Sequence, residues 1–579
     1  MLCLPEPARD MLFFRKYLSD AVASDRSAVP FMAPQMMTIN DLFAKASGVV
    51  SGDRVRLLLE LYDSYKKLNP KAESLDEFIF WGDVILGDFN DVDKYLVDAG
   101  QLFANVADFK ALQDTFEYLT ETQREAIKGF LSHFNDQSGK LTVDLGSDDP
   151  DVKGRFLQIW NILYPLYVNY NNALTDKGMA YEGMLYRSLA EKLKDMPVAD
   201  VFEGIFPERM SFVFVGLNAL NECEKTLLRK LRDSGKAEFC WDWSGDMIKD
   251  SRNRSSFFMA DNVLEFPQAA QWDPEGTVCP EINVISVASS VGQAKRLPDI
   301  LCQRSGRPEE CAVVLPDENL LRPVLNSIPE DIHDINVTMG LPMSGSLFHT
   351  MMADISAIQM HAVKRKDIWM FYHKQVWDLF SSEIFRKAAD DKTMEIVAKV
   401  KENARYYIPG EELRGTELMD VIFRPVVMDV RMVSSSQIAS FAQYQKDVIE
   451  VIAPAIADDP SLALELEFAK EYYKSINVLQ EIRLEVLPMT YIRLLGQLLG
   501  SVSVPFKGEP LKGLQVMGPL EMRALDFRNL IIMSANEGVF PRRSVSSSFI
   551  PPELRKGFGM PTYEYQDAVW AYYFYRVIS

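Results

Sequence analysis

Gly513-Leu-Gln-Val-Met-Gly-Pro-Leu-Glu-Met-Arg-Ala-Leu-Asp-Phe-Arg-Asn-Leu-Ile-Ile-Met-Ser-Ala-Asn-Glu-Gly-Val-Phe-Pro541 is the stretch on which the fold turns. Two short apolar runs, Leu514–Met517 and Leu530–Ser534, bracket a turn. Leu530-Ile-Ile-Met shows no polar alternation, which predicts a strand covered on both faces. Open α/β sheets place ligands beyond the carboxyl ends of their strands. Asn536-Glu-Gly-Val-Phe-Pro541 stands at that position. Gly538 permits a tight turn and Pro541 ends it.

Arg542 and Arg543 follow at once, and Arg555 and Lys556 lie in a second loop bounded by Pro and Gly. From Glu521 to Met560 the basic residues Arg523, Arg528, Arg542, Arg543, Arg555 and Lys556 outnumber the acids Glu521, Asp526, Glu537 and Glu553. Arginine can hold a phosphate bidentately and stack on a base. Phe540, Phe549 and Phe558 interleave with these cations. The functional reading is a nucleic-acid contact made by Asn536, Phe540, Arg542, Arg543, Arg555 and Lys556. The plainer one is a solvated loop whose phenylalanines belong to the core. For Arg523 and Arg528, salt bridges to nearby carboxylates are expected.

The same alternation of short apolar runs and helical patterns recurs along the chain. Strands are expected at Met1–Leu4, Met210–Val215, Ala237–Trp241, Ile282–Val287 and Cys311–Leu315, and helices at Arg9–Leu18 and Asn221–Arg232. Two long stretches with helical period, near 53–190 and 350–500, hold no convincing strand. Linker-like composition occurs around Ser138–Asp151 and Ser251–Thr277. The expected class is therefore α/β, two parallel-sheet cores each interrupted by an all-helical insertion. The boundaries are 1–52 and 201–280 for the first core around a 53–200 insertion, then 281–349 and 506–579 for the second around 350–505. At roughly 100–200 residues per domain, 579 residues suit several such units.

The net charge is −20 and the pI about 4.9. A surface that acidic repels phosphates unless basic groups gather locally. Six cysteines are scattered without a C-x-x-C pair, which suits mostly buried thiols rather than a zinc site or a disulfide framework. The five histidines show no i, i+4 metal spacing and read as surface or packing residues. The aspartates Asp83, Asp88, Asp91, Asp93 and Asp98 lack the loop glycine and final glutamate of an EF-hand and read as a solvated helix face. No signal peptide and no run of about 20 apolar residues is present, so no membrane is implied and a cytoplasmic location is expected.

The Gly513–Pro541 stretch resembles the late helicase motif of the AddB family, a branch of the superfamily that includes UvrD and RecB. The family pattern is a strand, a Leu-Glu-x-Arg turn, a second strand and Asn-Glu-Gly-x-Phe-Pro. Three further segments agree in order. Trp81-Gly-Asp with Asp88-Phe-Asn-Asp-Val-Asp-Lys-Tyr-Leu96 resembles the Asp-Phe-x-Asp helix of the first insertion. Phe214-Val-Gly-Leu-Asn-Ala-Leu-Asn-Glu-Cys-Glu-Lys-Thr-Leu-Leu228 is similar to the strand and helix that replace the acidic ATPase motif. Cys311-Ala-Val-Val-Leu-Pro-Asp317 with Asn336-Val-Thr-Met-Gly-Leu-Pro342 resembles the opening of the second motor-like domain. The resemblance implies two degenerate RecA-like (P-loop NTPase-like) cores and an AddA-like helicase partner. It also implies single-stranded or duplex-end DNA as ligand, a role in double-strand break repair, and a PD-(D/E)xK nuclease domain beyond residue 579.

The groups that an ATPase of this superfamily needs are missing. G-x-x-x-x-G-K-[ST] cradles phosphates with its backbone amides, and no Gly-Lys-Ser or Gly-Lys-Thr occurs. Ser138-Gly-Lys140 and Ser234-Gly-Lys236 read as turns. After the Phe212–Val215 strand an active enzyme would place Asp-Glu for Mg²⁺; this chain has Gly216-Leu217-Asn218. Leu2-Cys-Leu-Pro-Glu resembles the family's second strand, which would put any phosphate loop before Met1. Asp108-Phe-Lys110, Asp151-Val-Lys153 and Asp390-Asp-Lys392 lack the preceding buried strand of a nuclease site. No catalytic residue, metal ligand or cofactor is expected in this chain, and Mg²⁺ only in the nuclease domain outside it. The expectation is a non-motor subunit that guides DNA. Its rivals are a scaffold that does not touch DNA and an ATPase whose phosphate loop lies upstream.

Overall fold

The computed structural model describes residues 2–578 apart from 5–8, 25–32, 71, 104–133, 136–141, 144–149, 208–209, 244–252, 269–279, 304–305, 506–511, 523–524 and 543–547. The strands that organise it run in chain order as follows. The first four are β1 (Leu2–Leu4), β2 (Met36–Thr38), β3 (Phe212–Val215) and β4 (Ala237–Cys240). Next come β5 (Cys311–Val314), β6 (Ile335–Val337), β7 (Val363–Arg365), β8 (Ile368–Tyr372) and β9 (Tyr407–Pro409). The last two are β10 (Leu514–Met517) and β11 (Asn529–Ile532).

The chain is mixed α/β. One sheet has the order β2-β1-β3-β4, all parallel. A second has the order β6-β10-β5-β11, with β10 and β11 both parallel to the central β5. In both, neighbouring strands are far apart in sequence. β3 joins β1 only after the helices between residues 39 and 201, and β10 joins β5 only after residues 338–513. The chain divides into two compact units, residues 1–336 with 509–579, and residues 337–508.

In the first unit each β3 side chain pointing one way, Phe212 and Phe214, is buried, as alternate burial on a strand requires. Gly216 then turns the chain at φ +69° into the Glu222–Asp233 helix. Asn221 caps that helix by accepting from the Glu224 amide while the Glu224 carboxylate accepts from the Asn221 amide, both at 2.9 Å. Leu227, Leu228 and Leu231 fall on the face packed against the sheet. The Tyr563–Ile578 helix adds Tyr572 and Tyr573 to the same core.

Several sequence expectations are corrected here. β11 was expected to be covered on both faces; it is a sheet edge and half-buried throughout, whereas β5 and β10 are fully buried. An unbroken apolar run does not distinguish a central strand from an edge. Ile282–Val287 forms no strand, and Val284 is 92% exposed. The Ser251–Thr277 linker contains the Phe257–Glu265 helix, with Phe258, Met259 and the following Phe266 buried.

The second unit is mainly helical, but it does hold strands. β7, β8 and β9 form an antiparallel sheet in which Met370 opposes Val363 and Pro409. Ile368-Trp-Met-Phe-Tyr372 is a run of β-branched and aromatic residues, and it pairs because two partners are available to it. Around it pack the Leu347–Met360, Ser435–Ala457, Ala463–Glu481 and Pro488–Gly500 helices. A polar thread runs through this core: Tyr491 donates to Gln445 at 2.8 Å and Gln445 donates to Ser356 at 3.1 Å. Glu465 accepts from Ser346 at 2.7 Å and from the Phe348 amide at 3.0 Å, which satisfies a helix N-terminus.

Candidate functional site

The carboxyl ends of β3 and β4 form the first place to look. Gly216 donates its amide to the Cys240 carbonyl at 3.0 Å, and its left-handed backbone is one that only glycine adopts freely. Leu217 and Asn218 are buried. The Asn218 carbonyl accepts from Asn262 at 2.6 Å, but its side-chain amide finds no partner among the described residues. Asp242, just past β4, lines the same space as Gly216 and is engaged: Arg576 holds it at 2.6 Å, and Tyr572 donates to its carbonyl at 3.0 Å. Arg576 also reaches Asp526 at 2.9 Å. These two carboxylates hold the guanidinium's pKa above its usual value despite the opposing effect of burial. The space left beside Gly216 and Asp242 measures about 10 Å³. That is room for roughly one water.

The second place is the turn after β11. The Val539 and Phe540 amides both donate to the Asn536 carbonyl at 3.0 Å, with Gly538 at φ +79°. This geometry exposes Asn536 and Arg542. It turns Phe540 inward, 2% exposed, against Trp570 and Phe574 at ring distances of 6.3 and 5.3 Å. Phe540 is therefore a core ring rather than a free stacking surface. Arg543 and Arg523 lie outside the described residues.

Arg555 and Lys556 diverge, although they are neighbours on the short Pro552–Gly557 helix. Lys556 is exposed. Arg555 is 6% exposed, and its guanidinium is occupied from within. It donates to Asp88 at 2.8 Å, to Asp91 twice at 2.9 Å, to the Pro561 carbonyl at 2.9 Å and to Ser548 at 3.1 Å. Asp88 in turn accepts from Ser548 at 2.6 Å and from the Phe549 amide at 2.7 Å. Burial pushes the Asp88 carboxyl up, opposed by these donors and by Arg555. The Arg555 guanidinium is shielded too, yet the two carboxylates hold its pKa above the usual value.

This arrangement corrects the reading of Asp83, Asp88, Asp91, Asp93 and Asp98 as a solvated helix face at two positions, Asp88 and Asp93, while Asp98 is exposed and caps the separate Ala99–Leu102 helix. Asp88 is 3% and Asp93 0% exposed. Asp93 is paired with Arg187 at 2.7 Å and accepts from the hydroxyls of Tyr167 and Tyr181. Burial raises the Asp93 carboxyl against the pull of that arginine. The sequence holds no local signal for this cluster, because Tyr167, Tyr181 and Arg187 all lie 74 or more positions from Asp93.

Of the expected DNA contacts, then, Asn536, Arg542 and Lys556 are exposed, whereas Phe540 and Arg555 are interior. Neither Arg542 nor Lys556 has a carboxylate partner among the described residues. Ser234-Gly-Lys236 is the turn expected, with Gly235 at φ +65°. Asp390 caps the Asp391–Asn403 helix through the Thr393 amide at 2.8 Å. Asp108-Phe-Lys110 and Ser138-Gly-Lys140 fall outside the described residues, as do the Asp151 and Lys153 side chains. Of the cysteines whose side chains are described, Cys223 and Cys311 are buried and Cys240 and Cys302 exposed. No group of three or more His, Cys, Asp or Glu suited to a metal occurs among the described residues. No helix described is long and apolar enough to cross a membrane. No family model and no curated protein matches the chain.

Proposed function

We propose that this chain is the non-motor, AddB-like subunit of a DNA-repair helicase–nuclease. In this reading it has two degenerate RecA-like cores and guides single-stranded DNA toward a nuclease domain outside residues 1–579. An AddA-like subunit would supply ATP hydrolysis, and Mg²⁺ would serve only the nuclease. The observation that carries the reading is the end of β3. Where a motor holds a metal carboxylate there is Gly216 in a left-handed turn, and the adjoining space of about 10 Å³ is lined by the paired Arg576 and Asp242. The exposed cations Arg542 and Lys556 support the DNA contact.

The test is anisotropy of a labelled single strand with the chain and with Arg542→Ala/Lys556→Ala across a salt series. If both cations contact phosphates, the double variant should make the slope of log K against log salt shallower by about 1.4, at about 0.7 per contact. A second reading, a scaffold that leaves DNA to its partner, draws on the net charge of −20 and on the inward commitment of Arg555 and Phe540. Absence of binding at low salt would favour it. The active-ATPase alternative requires a carboxylate where the backbone of Gly216 disfavours any side chain.

A further inference from the structure

The second unit contains a groove of its own. It opens between the His373–Ser381 helix and the end of the Asp391–Asn403 helix. The second of these helices ends on Ala404 at φ +43°, ψ +41°. A residue with a Cβ costs about 1 kcal/mol or more in that left-handed conformation, and such strain persists where its surroundings impose it. The turn lifts Arg405 and Tyr406 clear of the helix before β9 begins. The Tyr406 carbonyl is tied to the amide and Nδ1 of His373 at 3.0 and 3.2 Å. Tyr406 is left 75% exposed, its ring edge-on to the His373 ring at 5.1 Å and 88°. His373 is backed by Tyr372 at 4.6 Å.

Trp377, one helical turn beyond His373, lines the same groove, and Lys401 and Arg405 supply its charge. Arg405 is steadied by Glu412 at 2.6 Å, and Asn403 shares that carboxylate at 3.2 Å. No carboxylate lines the groove itself among the described residues. On the same small sheet the Arg365 guanidinium lies 4.7 Å from the centre of the Tyr407 ring, so aromatic and cation continue to alternate.

The cavity is about 540 Å³, within the usual range for a small-ligand site. Aromatic faces beside cations are what a nucleobase and its phosphate require, and Glu412, which holds Arg405, does not line the groove. An acidic peptide would use the cations but leave three aromatic rings without a task. We propose that this groove binds a nucleotide of single-stranded DNA. The base stacks on Tyr406 and Trp377, and the flanking phosphates meet Lys401 and Arg405. The inference rests on the DNA-guiding reading for its ligand, but on none of the residues that carry that reading.

The test uses the whole chain with a thymidine oligonucleotide carrying 5-iododeoxyuridine. Irradiation should crosslink it to Tyr406 or Trp377, identified by peptide mapping. Tyr406→Ala and Trp377→Ala should each weaken binding about tenfold, and an abasic strand of equal length should bind weakly to the unaltered chain. Unchanged urea midpoints would show that the variants remain folded. Crosslinks confined to residues 536–560, with Tyr406→Ala binding normally, would overturn the groove and leave the proposed function standing. Equal binding of the abasic strand, or of polyglutamate, would reduce the groove to a general anion site and overturn the stacking role. Failure of the unaltered chain to bind any strand at low salt would overturn both.

Discussion

Arg555 commits all three guanidinium nitrogens to partners on Asp88, Asp91, Ser548 and the Pro561 carbonyl. Removing one member of such a buried set leaves the others charged and unpaired, which costs about 3–5 kcal/mol. Arg555→Ala should lower stability by that amount in urea denaturation. Neutralising the acids as well, in Arg555→Ala/Asp88→Asn/Asp91→Asn, should recover part of it. A triple variant no more stable than the single one would contradict the account. Glu224 makes the same point through pH. Burial pushes its carboxyl from 4.5 up to about 7, with the Asn221 amide and Lys94 opposing. A folded pKa above the unfolded one means that the folded state favours the proton. Its contribution is therefore fully present below pH 4.5 and lost as pH rises through about 7. Glu224→Gln keeps an acceptor for the Asn221 amide but cannot ionise. The stability difference between the variant and the unaltered chain should shift toward the variant by on the order of 3 kcal/mol from pH 4 to pH 8; parallel pH profiles would refute this. The partners of Arg555 were not legible in advance, because Asp88 lies 467 positions away, whereas the Asn221–Glu224 cap is a local pair three residues apart.

At the scale of elements, strands with local apolar runs were readable: β3, β4, β5 and β10 start or end within two residues of where composition puts them. Ile282–Val287 is also apolar but pairs with no strand among the described residues, and β8 is not legible inside a helical block because pairing with β7 and β9 decides it. A strand is half of a contact, so its sequence states only a readiness to pair. Gly513 marks where one such contact closes. It sits at φ +74°, and a Cβ there would lie 1.9 Å from the Asp334 carbonyl oxygen. That oxygen accepts the Leu514 amide at 2.9 Å at the start of β10. Gly513→Ala should therefore cost at least about 2 kcal/mol, since both the backbone conformation and a main-chain approach resist it. Gly496, inside the Pro488–Gly500 helix, is the control, because a Cβ added there would meet nothing within 4 Å. Gly496→Ala should raise stability by about 0.5–1 kcal/mol. Thermal midpoints moving in the same direction for both variants would contradict the assignment.

At the scale of the molecule, a charge of −20 opposes any DNA contact through its long-range field while a few local cations favour it. The two effects separate by salt, because the screening length grows from about 8 Å at 0.15 M to about 30 Å at 0.01 M. Binding carried by exposed cations on this chain should tighten as salt falls and then level off at the lowest concentrations, where repulsion by the whole surface reaches the strand. A constant slope down to 0.01 M (read by anisotropy at about 0.01–0.3 M) would show that the acidic field does not matter. Sequence alone determined the α/β class, the position of most core strands, and the lack of a phosphate-loop signature and of an acid after β3, since each depends on residues adjacent in the chain. Tertiary structure alone decided that Arg555 faces Asp88 while Lys556 faces solvent, that β11 is an edge, and that His373, Trp377, Lys401 and Tyr406 share a groove. Burial and pairing are properties of what lies across a contact, and no local stretch of sequence contains both sides.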